Sequence, residues 1–285
     1  PPPSPPPPNL PCYKRFVILN FLNATTVYSN LGGVGPDYYN NASGVDVQTP
    51  PVIRFGGVGY THKGDIIDVV VSNLTEYRPY TTKWNKLDGQ GFANINLDSN
   101  VDKSKGWNEV SLRYTFYYHQ TDDLLTLDTF AWTFYDFDHD QFSDPATNIP
   151  QGQECMRIDT QADGYEGAKH GHRVSHDAST GEYCSKDFGR GSDNPVVFEA
   201  AKCYVTPSDP CYAPGGNPFL SKAVTLTYSG VNNLTMTFRV APGMKTGRNF
   251  QFAGVSAELP LCVSPPPSPP SPPMVPLPPA PPPSP

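Results

Sequence analysis

Proline sets the ends of this chain. Residues 1–8 read PPPSPPPP and residues 264–285 read SPPPSPPSPPMVPLPPAPPPSP. The pyrrolidine ring fixes φ near −65° and leaves no N–H, so consecutive prolines enter neither a helix interior nor a central strand and adopt polyproline II. Of the 35 prolines, 22 fall within residues 1–11 and 265–285. The sequence therefore divides into a polyproline II segment over 1–11, a folded domain over 12–262 and a Pro/Ser-rich polyproline II tail over 263–285. At about 3.1 Å per residue, the 21 residues from Pro265 onward extend roughly 65 Å. That exceeds the width of a compact domain of this size, so the tail can reach a neighbouring molecule.

Both runs are uncharged, and the formal net charge of −7 belongs to the folded part. An acidic surface without Lys/Arg clusters argues against nucleic acid or anionic membrane as partner. No stretch approaches the ~20 apolar residues that span a bilayer.

Within the domain the hydrophobic pattern has period two. In residues 109–118, Val110, Leu112, Tyr114, Phe116 and Tyr118 alternate with Ser111, Arg113 and Thr115, which places one row on a core and the other toward solvent. Strands are expected over 16–22, 65–72, 92–97, 109–118, 124–140, 196–205, 222–229, 233–240 and 249–259, with a long loop over 28–51 and a hairpin turn between 229 and 234. Residues 141–195 read as loops and short strands stapled by cysteine. No amphipathic helix stands out. The expected fold is all-β, an antiparallel jelly-roll-like β-sandwich.

Six cysteines without a C-x-x-C pair favour disulfides. Proximity pairs Cys203 with Cys211 and Cys155 with Cys184, leaving Cys12 with Cys262 to clasp the points where the proline runs leave the domain. Four N-x-S/T sequons, at Asn23, Asn41, Asn73 and Asn233, point with the cysteines to a secreted glycoprotein.

The strongest local signal for chemistry is the acidic series Asp136, Asp138, Asp140 and Asp144. The first three continue the row of Phe130, Trp132 and Phe134, so alternate carboxylates gather at a strand exit and offer the hard oxygen ligands that calcium requires. Glu154, Asp193 and Glu199 are candidates to complete the shell. A second cluster, His170-Gly-His172-Arg-Val-Ser-His176, contains an H-x-H pair able to share a zinc ion, although a solvated loop is the plainer reading. Loop aromatics Tyr38, Tyr39, Tyr80, Trp84 and Trp107 can stack on sugar rings or proline faces. The sequence has no nucleophile elbow, zinc-protease motif, P-loop or dinucleotide fingerprint, and a non-enzymatic role is expected.

Ser-Pro-Pro-Pro runs flanking a secreted domain resemble the hydroxyproline-rich glycoproteins of green algae, among them the pherophorins and the subunits of mastigonemes and surface fibrils. The blocks from Trp132 to Asp138, Gly191 to Pro195 and Gly247 to Gly254 look like segments that recur in secreted algal and protist proteins. This resemblance implies hydroxylated prolines carrying O-linked arabinose or galactose. Two functions follow as expectations. One is a structural subunit of an extracellular glycosylated fibril or matrix, self-associating through its proline-rich segments. The other is a calcium-dependent carbohydrate-binding module.

Overall fold

The computed structural model describes residues 17–35, 49–100, 106–159, 164–189, 195, 214–243 and 247–253. The proline-rich runs, Cys12, Cys203, Cys211, Cys262 and the expected strand over 196–205 lie outside these residues.

Two antiparallel sheets face each other. The larger is built from β1 (Ile18–Leu19), β2 (Thr25–Ser29), β3 (Val52–Tyr60), β4 (Ile66–Asn73), β6 (Asn108–Tyr118), β8 (Glu154–Ile158), β10 (Val174–Asp177), β11 (Glu182–Ser185) and β13 (Asn233–Val240). Its order is β1-β3-β4-β6-β13-β8-β11-β10, with β2 following β1 along the same edge of β3. The smaller sheet joins β5 (Ala93–Asp98), β14 (Gly247–Ala253), β7 (Phe130–Tyr135), β12 (Val224–Tyr228) and β9 (Tyr165–His170), in that order. From β4 onward each successive strand changes sheet, with β11 as the exception. The fold is an all-β sandwich.

The period-two pattern explains the core. In β6 the even residues from Val110 to Phe116 are buried, while Glu109 and Arg113 on the other face are exposed. Trp132 on β7 is fully buried, with ring centroids 5.7 Å from Phe21, 5.5 Å from Tyr114, 5.9 Å from Phe116 and 5.5 Å from Phe252. Each such pair adds about 0.5–1.5 kcal/mol beyond area burial. The Tyr114 hydroxyl and Trp132 Nε1 are buried with no hydrogen-bond partner among the described residues.

Several expectations are corrected. The stretch 16–22 is not one strand. Asn20 Oδ1 accepts the Leu22 N–H at 2.9 Å and turns the chain into a 3-10 turn, Phe21–Asn23, that inserts Phe21 into the core. The strand expected over 124–140 shortens to β7, preceded by isolated bridges at Leu124 and Leu127. Residues 229–232 do not form a hairpin turn between paired strands. β12 and β13 belong to different sheets, because each turns an apolar row toward the shared core. β3 is not expected from the sequence, because its glycines interrupt the alternation.

Those glycines serve a bulge. Between Phe55 and Gly59 the register of β3 against β4 slips, with Gly57 at φ +69. Asp68, fully buried opposite the slip, accepts the Gly57 N–H at 2.9 Å, the Gln120 N–H at 3.0 Å, Arg54 Nε at 3.0 Å and His119 Nδ1 at 2.7 Å. Burial alone would raise its pKa. The bonds from His119, Gln120, Gly57 and Arg54 outweigh burial and hold the carboxyl below its ordinary value.

The free edge of β5 is covered. Asn85 Oδ1 accepts the Asn96 N–H at 2.9 Å, the Tyr77 hydroxyl donates to the Asn96 carbonyl at 2.6 Å, and the Arg78 carbonyl accepts the Asp98 N–H at 3.1 Å. An edge so occupied offers no template for strand addition.

Two outcomes are expected in urea denaturation. Asp68→Asn loses about 3 kcal/mol at neutral pH, because the buried Arg54 guanidinium loses its buried counter-charge and keeps only the exposed carboxylate of Asp122, 3.1 Å from Nη1. Asp68 has a depressed folded-state pKa, so its contribution is present above about pH 4 and fades as pH falls through the folded value; the gap between wild type and variant narrows there. Tyr114→Phe leaves stability unchanged or raises it by about 1 kcal/mol, since it deletes a buried hydroxyl that has no partner.

Candidate functional site

At one end of the sandwich the apolar rows terminate in charge. On β14 the inward row is Phe252, Phe250 and then Arg248, and on β8 it is Ile158, Met156 and then Glu154. Between them runs the arm that leaves β7. The row expected to continue from Phe134 through Asp136 to Asp140 is broken at Asp136, which adopts φ +62. This left-handed residue shifts the alternation by one, so Phe137 enters the core and packs on Phe250 at 6.3 Å. Aspartate is among the few non-glycine residues that tolerate this conformation.

Asp138 is buried, and its N–H donates to Glu154 Oε2 at 3.1 Å while its carbonyl accepts the Glu154 N–H at 3.2 Å. Arg248 donates from Nη1 to Asp138 Oδ1 at 2.7 Å and from Nη2 to Asp140 Oδ1. Glycine makes the close approach possible. A Cβ on Gly152, which has φ +61, would lie 2.8 Å from Arg248 Nη2 and 2.9 Å from Asp140 Oδ2. One on Gly189 would lie 1.6 Å from Asp138 Oδ2.

The electrostatics follow from burial. Desolvation, then the charge of Asp138, pushes the Glu154 carboxyl well above the ordinary value, with Arg248 opposing and Asp136 reinforcing. Burial would lower the Arg248 pKa, but the fields of Glu154, Asp138, Asp140 and Asp136 outweigh it and hold the guanidinium charged.

Thus Asp136, Asp138, Asp140 and Glu154 do surround one place, and a guanidinium supplies the positive charge there. Among the described residues no three of the expected aspartate ligands bring carboxylate oxygens within 4.8 Å of one another. A calcium ion would share the oxygens of Asp138 and Asp140 with Arg248. Asp144 serves a turn, accepting the Ala146 N–H at 2.9 Å and the Thr147 N–H at 3.3 Å. Asp193 and Glu199 lie outside the described residues. The group that does meet the spacing, Cys155, Glu182 and Cys184, has both sulfurs tied in a disulfide.

The expected Cys155–Cys184 bond joins directly opposed residues of β8 and β11. Asn23 is exposed at its 3-10 turn, whereas Asn73 and Asn233 are half-buried, and Asn41 falls outside the described residues. Tyr80 and Trp84 are each about half exposed, at 51% and 53%. Trp107 is covered by Arg239, whose guanidinium carbon lies 4.3 Å from the ring centre. Tyr38 and Tyr39 fall outside the described residues. The imidazoles in ring contact are His170 and His176, while His172 lines a cavity of about 460 Å³ with Arg173, Asn217 and Phe219.

Sequence reasoning missed Arg248. The signal was present, since an arginine two residues before Phe250 stands on the apolar row of its strand.

No protein-family model and no curated protein matches the chain. Similar solved structures include the adhesin domain of PrgB from Enterococcus faecalis, with 12% identity over 73% of this chain and 64% of that one, at a TM-score of 0.41. The N-terminal domain of the Streptococcus gordonii adhesin Sgo0707 has 11% identity over 71% of this chain and 46% of that one, also at 0.41. The chain spans less than two thirds of the length of either.

Arg248→Met is expected to destabilise the domain by about 3–5 kcal/mol in urea unfolding, because it leaves buried carboxylates without their counter-charge. A loss below about 1 kcal/mol would show that the cluster is solvated.

Proposed function

We propose that the chain is a structural subunit of a secreted, glycosylated fibril or matrix, in which the proline-rich runs 1–11 and 263–285 act as polyproline II rods that associate with other copies. The observation that supports this most is the Cys155–Cys184 disulfide, characteristic of an oxidising compartment, in a chain that also carries proline-rich runs over residues 1–11 and 263–285. Exposed Asn23, at the head of its sequon, is accessible for N-glycosylation. Hydroxylation and O-glycosylation of the proline runs belong to the same reading. The charge clusters at Asp68 and Arg248 brace the fold, and among the described residues no helix is long and apolar enough to cross a membrane.

A calcium-dependent carbohydrate-binding role is the second reading. It draws on the carboxylates around Arg248 and on the exposed rings of Tyr80 and Trp84. It requires that calcium raise the thermal midpoint and that Asp138→Asn abolish the rise.

The experiment for the first reading compares the full chain, expressed through a secretory pathway, with a form lacking residues 1–11 and 263–285. Sedimentation velocity and negative-stain microscopy are expected to show concentration-dependent polymers for the full chain and monomers for the trimmed one. A full chain that stays monomeric at high concentration refutes the proposal.

A further inference from the structure

A two-imidazole pair lies at the seam between the sheets, apart from the acidic cluster. His170 is the last residue of β9 in the smaller sheet, and His176 lies on β10 at the edge of the larger one. Their ring centroids are 5.9 Å apart at an interplanar angle of 51°. The H-x-H spacing in the sequence points to His170 and His172, but the turn at 171–173 brings the ring of His176 back against His170 instead.

Three observations bear on what the pair can do. His170 Nδ1 lies 3.2 Å from the Gly171 carbonyl, and a carbonyl only accepts, so the proton sits on Nδ1 and the lone pair on Nε2. This is the tautomer in which metal-ligating histidines are held by a backbone carbonyl. The His176 ring lies flat on Tyr183, with centroids 4.3 Å apart and planes within 11°, and Tyr183 also touches His170 at 5.6 Å. One buried ring therefore fixes the attitude of both imidazoles. Finally, with metal–nitrogen distances of about 2.0–2.1 Å, two imidazoles on one ion place their ring centres about 5–6 Å apart, which the observed spacing matches.

We propose that His170 and His176 form a binding site for a borderline divalent transition ion such as zinc, which clips the edge of the smaller sheet to the edge of the larger. His176 is exposed, so water fills the remaining coordination positions. Tyr183 is a wall of the site, its buried ring stacked on His176 and in contact with His170. Imidazole nitrogens suit zinc, copper and nickel, whereas calcium and magnesium prefer oxygen.

The test is calorimetric titration of the intact, disulfide-bonded chain with zinc chloride, followed by thermal melts at saturating zinc. One equivalent is expected to bind and to raise the midpoint. His170→Gln and His176→Gln should each weaken binding at least about tenfold and cancel the rise, with far-UV circular dichroism confirming that both remain folded. His62→Gln, at the turn between β3 and β4, serves as control and should bind as wild type does. Calcium chloride in place of zinc should give no heat that depends on His176. Absence of saturable zinc binding, or binding that survives both substitutions, overturns the proposal.

Discussion

The contact on which the sandwich depends is the stack of Trp132 on Phe252, diagonal neighbours across β7 and β14 in the smaller sheet, with centroids 5.5 Å apart and planes within 23°. Phe252 also meets Phe21, Phe55, Tyr114 and Phe134. Rings from both sheets therefore converge on one residue, and dense cores tolerate little displacement. Fixing Phe252 fixes its strand, and the same face of that strand carries Arg248 four residues earlier. The apolar centre and the buried charge cluster are two ends of one row.

The two charged clusters follow a common logic. Asp68 sits opposite a bulge and Arg248 sits at the end of the core, each where regular pairing gives way. A buried charge is tolerated only when paired and hydrogen-bonded, and each cluster meets that condition with donors brought from distant parts of the chain. Arg248 and Asp138 are 110 residues apart in sequence. Replacing either group alone strands its partner in a medium that solvates it poorly.

This explains which parts of the molecule were legible in sequence. The alternation in β6 and β13 follows directly from burial of one sheet face, so those strands and the sandwich could be read from residue order. The Cys155–Cys184 bond is legible because each is the nearest partner of the other once the local pair 203–211 is set aside. The left-handed turn at Asp136 could not be read, since a single dihedral reverses the faces of everything after it. Nor could the meeting of His170 with His176, which depends on two strands of different sheets lying edge to edge. The acidic series is visible in the sequence, but charge balance in folded proteins is a three-dimensional property, and the Arg248 that pairs with Asp138 and Asp140 lies on another strand.

The Cys155–Cys184 bond has a mechanical consequence. It closes a loop of 29 residues that contains β9, from the smaller sheet, and β10, from the larger. If the domain is pulled by its two ends, force passes along the covalent shortcut and the enclosed strands carry no tension. The loop withholds about 95 Å of contour length from extension, so a chain of such domains under load would yield in shorter steps than its residue count implies.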